Sequence, residues 1–236
     1  MRDILVIDGK PSLDFGVYLT DAGAYDAPHR RVSTVSIPGR SGDLVYDEDE
    51  TFDNIDVRYP AIIYQNYDSN FAALKSFLLS RRGYVRLEDS FHPDEYRLGI
   101  YSEAIKPKVT VNYKMGGFEI VFNCKPQRFL KSGEKTRTIT AESEIVKNPT
   151  DFISKPLIRA YGTGNFTING VKVTINSAST YTDIDCDTQE AYKENVNCNG
   201  NITLNNAVFP SFASGLNTVQ KSGISSLEIV PRWWIL

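Results

Sequence analysis

The chain has 236 residues, of which 41% are hydrophobic and 23% are charged. This hydrophobic content is enough for a packed core and excludes a broadly disordered protein. The formal net charge of −3 argues against a dedicated nucleic-acid binder, which carries a basic excess. The acidic excess lies entirely before residue 131, where 19 acidic residues stand against 16 basic ones.

No segment of the sequence indicates a membrane span or a cysteine framework. The N-terminus has only four consecutive apolar residues, Ile4–Ile7, which is too short for a signal peptide. Cys124, Cys186 and Cys198 are odd in number and lack CxxC spacing, so neither a disulfide scaffold nor a zinc site is indicated. We therefore expect a protein made in a cytoplasm.

The first half is predicted to form short strands. Ile4–Ile7 predicts one strand, and the alternating apolar residues over 13–19 predict a second, half-buried strand. Asn54–Tyr64 predicts a third, at a sheet edge or a bulge because Pro60 has no amide to donate. Further strands are predicted over Tyr84–Glu88, Glu95–Tyr101, Ala104–Tyr113 and Phe118–Cys124.

An acidic run lies within an extended loop predicted over Pro38–Asp53. Turn residues and Arg40 precede the run. It contains six acids and no base, namely Asp43, Asp47, Glu48, Asp49, Glu50 and Asp53. A solvated loop explains such a run, and the alternative is a loop that docks on a basic neighbour or lines a pore.

One α-helix is predicted after residue 67. Asp68 and Ser69 can cap its start, and Gly83 follows Arg81 and Arg82 as a stop. Apolar residues recur with helical spacing at Phe71, Leu74, Phe77 and Leu78.

The predicted strand Phe118–Cys124 stops at Lys125–Pro126, where proline cannot continue a central strand. A polar stretch follows Leu130, so we place a domain boundary there. The second half has no helical period. Its short strands and its Asn169–Gly170 hairpin signal predict a β-sandwich.

Few residues of the sequence are suited to catalysis or metal binding. The only histidines, His29 and His92, lie in predicted loops, and no hydrolase, phosphate-binding or zinc-protease motif is present. Asp183, Asp185 and Asp187 fall on one face of a predicted strand, and Glu194 follows at the spacing of a calcium loop. Position 6 of that loop is Thr188 rather than glycine, so a solvated or inter-subunit face is the alternative to a metal site.

The only two tryptophans, Trp233 and Trp234, adjoin the C-terminus. Strand alternation directs one into the sandwich and the other to the opposite face. A terminal core strand explains the pair, and the alternative is a surface that binds sugar or protein.

Several stretches together resemble the distal tail protein (Dit) family. These are the baseplate hub proteins of siphophages that infect Gram-positive bacteria, and of related prophages and tail-like bacteriocins. In chain order they read LDFGVYLTDAGAYDAPHRRV, SIPGRSGDL, LKSFLLSRRG, FEIVFNCKPQRF, NPTDFISKPLIRAYG, DIDCDTQEAYK and IVPRWWIL. The resemblance implies a mainly β protein in two domains. Residues 1–130 are expected to form a barrel- or sandwich-like ring domain with one α-helix, and residues 131–236 a galectin-like β-sandwich.

The resemblance further implies a structural hub at the tip of the virion tail, made in the host cytoplasm. Such proteins form a homo-hexameric ring that joins the tail tube protein to the tail-associated (Tal) protein. The tape-measure protein and DNA pass through its lumen, and the outer domain attaches receptor-binding proteins. No enzyme activity, cofactor or membrane is implied. Because a closed ring needs heterologous contacts, the loop residues become candidates for the ring interface or lumen, namely Arg40, Asp43, Asp47, Glu48, Asp49 and Glu50.

Two other functions are compatible with the sequence. One is a carbohydrate-binding module or adhesin that recognises cell-wall glycans through the C-terminal sandwich. The other is a β-rich cell-wall hydrolase, for which no acid/base pair stands out.

Overall fold

The computed structural model describes residues 3–22, 27–46, 51–105, 108–110 and 115–236. Within these ranges most of the regular structure is β, with one α-helix, as predicted. The chain divides into two compact units. The first unit comprises Met1–Arg128 with Leu236, and the second comprises Phe129–Ile235.

The first unit is an antiparallel sheet with a helix packed against it. Its strands are β1 (Leu5–Ile7), β2 (Lys10–Pro11), β3 (Val17–Leu19), β4 (Ser33–Val35), β5 (Leu44–Tyr46), β6 (Ile55–Ile63), β7 (Val85–Asp89), β8 (Glu95–Ile100), β9 (Lys108–Thr110) and β10 (Met115–Cys124). The main sheet has the order β2-β1-β7-β8-β10-β6-β3, with β9 paired to β10. The β4–β5 hairpin stands apart from this sheet.

The sheet curls so that β3 approaches β1. The Leu19 N–H donates to the Asp3 carbonyl over 3.0 Å. The buried Ser12 hydroxyl accepts a hydrogen bond from the Leu5 N–H and donates one to the Val17 carbonyl. Backbone groups at the outer edge of β3 are thereby satisfied, which gives the unit a barrel-like closure.

The continuous strand predicted over 13–19 is wrong in its first half. A 3-10 helix spans Ser12–Phe15, Gly16 follows with φ of 62°, and only Val17–Leu19 is a strand. The Ser12 hydroxyl bonds and the left-handed Gly16 turn the chain before it can extend.

The core of the first unit lies between the sheet and helix α1 (Tyr67–Ser80). Alternate residues of β6 from Ile55 to Ile63 point inward. The helix buries Tyr67, Phe71, Leu74 and Leu78. Burying each of these side chains contributes roughly 1.5–3 kcal/mol before entropy is counted. The predicted cap at Asp68–Ser69 is wrong, because the helix begins at Tyr67 after a left-handed Asn66.

The prediction that Pro60 marks an edge or bulge is also wrong. Strand β6 lies between β10 and β3, and Pro60 is in register with Glu119. The Pro60 carbonyl points toward β3, since it accepts a hydrogen bond from the Thr20 N–H just beyond the end of that strand. The N–H and C=O of one residue point to the same side of a strand, so an N–H at position 60 would also face β3. Its absence therefore removes no hydrogen bond to β10.

The second unit is a sandwich of two antiparallel sheets. Its strands are β11 (Arg128–Leu130, which crosses the unit boundary), β12 (Arg137–Ile139), β13 (Ser143–Asn148), β14 (Leu157–Tyr161), β15 (Gly164–Ile168), β16 (Val171–Ile175), β17 (Tyr181–Asp185), β18 (Glu190–Lys193), β19 (Val196–Asn197), β20 (Ile202–Leu204), β21 (Gly215–Ser222), β22 (Ser226–Val230) and β23 (Trp234–Ile235). The two sheets of the sandwich have the orders β12-β22-β14-β17-β18-β19 and β13-β21-β15-β16-β20, whereas β11 and β23 pair with each other outside both sheets.

Both sheets contribute to one core, in which Ile158 and Ile184 of the first sheet cluster with Phe166 and Val219 of the second. The predicted hairpin is confirmed, since β15 and β16 pair across Asn169–Gly170 and both turn residues have positive φ.

Two adjacent glycines of β10 give a matched test of this packing. A Cβ on Gly116 would lie 2.5 Å from the buried Tyr67 ring, whereas one on Gly117 would lie 3.7 Å from its nearest neighbour. We expect Gly116→Ala to destabilise the protein by about 1–3 kcal/mol through overpacking. Gly117→Ala should be neutral or slightly stabilising, because glycine is unfavourable inside a strand. Urea unfolding followed by circular dichroism tests this. Equal stabilities of the two variants would contradict the assigned faces of β10.

Candidate interaction surfaces

Residues 29–46 and 51–53 form an exposed hairpin, which we call the arm. Its strands β4 and β5 pair with Val35 opposite Leu44. At its base the Arg31 N–H donates to the Thr51 carbonyl, and the Arg31 guanidinium pairs with Asp53. The loop predicted over Pro38–Asp53 is therefore partly a strand, and the arm is a two-stranded ribbon.

The arm exposes apolar side chains on both faces. The exposed fractions are 44% for Val32, 55% for Val35, 38% for Ile37, 41% for Leu44 and 60% for Val45. Alternation along the strands puts Val35 and Leu44 on one face and Val45 on the other. An isolated two-stranded hairpin is marginally stable in water, and clustered exposed apolar residues mark contact sites. These features favour a role of the arm in binding another surface.

The predicted loop residues are distributed around the turn of the arm. Arg40 and Asp43 lie exposed between β4 and β5. The turn contains Gly39 and Gly42, which have φ of 83° and 80°. Asp47, Glu48, Asp49 and Glu50 lie outside the described residues.

The aspartates singled out in the second unit do not come together as one group. Asp183 and Asp185 lie on β17 and are only 5% and 7% exposed. Each carboxylate is held by one arginine through two hydrogen bonds of 2.7–2.9 Å, Asp183 by Arg159 and Asp185 by Arg232. Within the described ranges, no group of three or more His, Cys, Asp or Glu is arranged to hold a metal ion.

The two remaining acids of this motif are exposed. Asp187 lies beyond the end of β17, with Lys155 Nζ 3.8 Å from its carboxylate. Glu194 lies in the turn between β18 and β19 with φ of 55°.

Cross-strand register explains the Arg159–Asp183 pair, because the two residues are directly opposite each other on β14 and β17. The Arg159 guanidinium lies 4.2 Å from the centre of the Tyr181 ring, and Lys193 Nζ lies 5.0 Å from it. Lys193 also donates to the hydroxyls of Ser179 and Thr180. These contacts form a connected network of ion pairs and ring contacts on this face.

Asp185 is ionised in a partly desolvated position. Burial opposes its charge, but hydrogen bonds from Arg232 and from the Asp187 N–H outweigh that cost and lower the pKa of the carboxyl. The hydrogen bonds that Arg232 donates to Asp185, acting against burial, raise the pKa of Arg232. The pair therefore stays charged at neutral pH.

The tryptophans occupy two different environments. Trp233 is buried in the sandwich core, with its ring 5.3 Å from that of Phe212. Trp234 is half-buried and stacks on Phe152 at 4.4 Å, and its Nε1–H donates to the Ile153 carbonyl. One ring face and the N–H of Trp234 are thus already engaged.

Groups that often serve in catalysis are held in structural roles. His92 Nδ1 lies 2.9 Å from Asp89 Oδ1, but the same oxygen accepts the N–H groups of Phe91 and His92 in a turn. Burial raises the pKa of the Cys124 and Cys186 thiols to about 12. Both thiols therefore remain protonated at neutral pH and are poor nucleophiles.

The described residues thus define a mainly β protein in two units, whose distinctive surface is an apolar arm. This fold is shared with phage hub and baseplate proteins. The solved structure of phage SPP1 Dit (gp 19.1), described as a paradigm of the hub adsorption apparatus in phages infecting Gram-positive bacteria, matches with a TM-score of 0.77 and 17% identity, over 100% of both chains. The phage P2 baseplate in its activated conformation, with Ca or with Sr, matches with a TM-score of 0.55 and 9% identity, over 97% of this chain and 98% of the other.

No family model and no curated protein matches the sequence. At identities of 17% and 9% the structural comparisons establish the fold. The fold implied by the resemblance to the distal tail family is confirmed. No described helix is both long and apolar enough to cross a membrane.

Arg232→Met should destabilise the second unit by about 3 kcal/mol, because it leaves the Asp185 carboxylate buried without its cation. Because the pKa of Asp185 is lowered in the folded state, the ion pair contributes its full stability above the unfolded-state pKa of about 3.9. This stability is lost as pH falls through the folded-state pKa of Asp185. The unfolded state is common to both proteins, and burial raises the pKa of Asp185 once Arg232 is absent. The difference in stability between parent and variant should therefore shrink as pH falls from the raised folded-state pKa of the variant to the lowered one of the parent. Urea unfolding followed by tryptophan fluorescence measures this, since both tryptophans lie in the second unit.

Arg137→Met is the matched control, because the Arg137–Glu144 pair is more exposed. Its loss should lower the free energy of unfolding by about 1 kcal/mol or less. Equal effects of the two substitutions, or a gap independent of pH, would contradict the role assigned to Arg232.

Proposed function

We propose that this protein is a distal tail protein, the structural hub of a phage tail tip. The observation that carries the proposal is the match to SPP1 Dit over the whole of both chains. Because the match covers the whole chain, it includes both units and is not limited to a single β domain of a frequent type. The ordered sequence resemblance to the distal tail family supports the same assignment independently of the fold comparison.

The proposed assembly is a homo-hexameric ring formed by the first unit. A closed ring needs contacts in which one patch meets a different patch on the next subunit. The arm supplies one such patch, because Val35 and Val45 expose more than half of their surface on opposite faces of the ribbon. Arg40 and Asp43, at the turn of the arm, are proposed interface or lumen residues, together with the acidic run that follows.

The ring would join the tail tube protein on one side to the tail-associated (Tal) protein on the other. The tape-measure protein and DNA would pass through the lumen. The mild acidity of the first 130 residues supports this, because a strongly basic lining would retain DNA phosphates. The expected location is the virion tail tip, after synthesis in the host cytoplasm.

The second unit would serve as a galectin-like attachment platform for receptor-binding or other baseplate proteins. A glycan-binding function through the tryptophan pair has less support, since Trp233 is in the core and Trp234 is covered on one face by Phe152. We assign no catalytic role. The engaged His92 and the protonated, buried thiols agree with a structural protein.

The purified protein is expected to form a particle of six times 26.5 kDa that appears as a six-fold ring. Light scattering across a concentration series and negative-stain electron microscopy test this. The double variant Val35→Glu/Val45→Glu should remain folded but sediment as a monomer, because carboxylates cannot be buried at an apolar contact without a partner.

Leu79→Glu is the matched control, since Leu79 is 73% exposed on the helix rather than on the arm, and this variant should assemble like the parent. A parent protein that stays monomeric even with its tube and Tal partners would overturn the proposal.

A further inference from the structure

The first unit has a trough on the outer face of its main sheet. Strand β6 contributes Arg58, Pro60 and Ile62, and β10 contributes Gly117, Glu119 and Val121. Thr20 borders the trough after β3, and Glu103 and Ala104 border it after β8. Its volume is about 450 Å³.

Part of the floor of this trough is apolar where a polar surface is expected. The inward residues of β6 and β10 are the alternate positions from Ile55 to Ile63 and from Phe118 to Cys124. Pro60, Ile62, Gly117 and Val121 therefore lie on the opposite face, which in an antiparallel sheet is normally polar and solvated. The same face also carries a charged pair, with Arg58 Nη1 3.6 Å from Glu119 Oε2, and Glu119 lies directly opposite Pro60. Protein contacts combine apolar and polar groups in this way.

The arm and the trough are complementary in shape and charge. The arm is a ribbon whose Val35 and Leu44 face carries apolar groups, and the trough is a concavity with Pro60 and Ile62 among its lining residues. The turn of the arm carries one charge of each sign, Arg40 and Asp43. The lining of the trough includes Arg58, Glu103 and Glu119, so each arm charge has an opposite charge to meet.

On the arm, Val35 is 55% exposed and Leu44 is 41% exposed. Two unlike complementary patches on one chain are what a heterologous contact requires. We propose that the trough of one subunit receives the arm of the next, with the Val35 and Leu44 face lying over Pro60, Ile62 and Gly117. This inference rests on the proposed ring and names the surface that receives the arm.

Two trough variants test the inference. Ile62→Glu places a carboxylate on the apolar floor. Gly117→Arg fills the trough, and it is compatible with the fold because a Cβ at Gly117 has ordinary contacts. Each variant should keep the parent circular dichroism spectrum and raise the concentration needed for half-assembly by about tenfold or more. Leu79→Glu is again the control that should assemble normally.

Mixing variants tests which surface meets which. The Val35→Glu/Val45→Glu chain keeps an intact trough, and the Gly117→Arg chain keeps an intact arm. At a concentration at which each variant alone is monomeric, their equimolar mixture can still form a single intact contact. We expect light scattering to report a species of twice 26.5 kDa that cannot grow further.

The outcomes separate this inference from the proposed function. A parent ring together with full assembly of both folded trough variants would overturn the inference and leave the hub assignment standing. A mixture that stays monomeric would also overturn it. A parent that never forms a ring would remove the proposed function itself.

Discussion

The pairing of β6 with β10 is the constraint on which the first unit depends. The two strands are in register over nine residue pairs, from Ile63 opposite Gly116 to Ile55 opposite Cys124. Because side chains alternate along a strand, this one register sends Tyr59 and Phe122 into the core and leaves the trough residues outside. A slip by one residue would exchange the two faces completely. Core packing and the proposed contact surface are therefore determined together.

The second unit is stabilised in a different way. Its core is assembled from two sheets, whereas Asp183 and Asp185 are buried outside that core under Arg159 and Arg232. An ion pair of this kind adds little stability relative to an apolar pair, but removing one member is costly. The two pairs therefore act chiefly by keeping β14, β17 and the segment before β23 in one arrangement.

The sequence predicted the elements with strong local signals. Helix α1 and the Asn169–Gly170 hairpin have such signals and were confirmed. Predictions failed where a tertiary contact determines the local structure. The buried hydroxyl of Ser12 links β1 to β3, and the Pro60 carbonyl accepts a hydrogen bond at the end of β3. Strands β12 and β13 have little sequence signal, because their sequences are mostly polar and Ile139 and Val146 are their buried apolar residues.

The same reasoning explains what was missed at the candidate surfaces. The two strands of the arm were not predicted, because they lie next to an acidic run that is typical of a loop. The trough needs the register of two strands separated by a helix, which no local pattern contains. The arginine partners of Asp183 and Asp185 come from positions 159 and 232, far along the chain.

The buried thiols have a consequence for redox exposure. Cys124 and Cys186 are enclosed in two different cores and remain protonated, so oxidants and partner thiols reach neither of them readily. A hub of a phage tail would be synthesised under reducing conditions and then work in an oxidising medium outside the cell. These two sulfurs would therefore stay reduced in both environments.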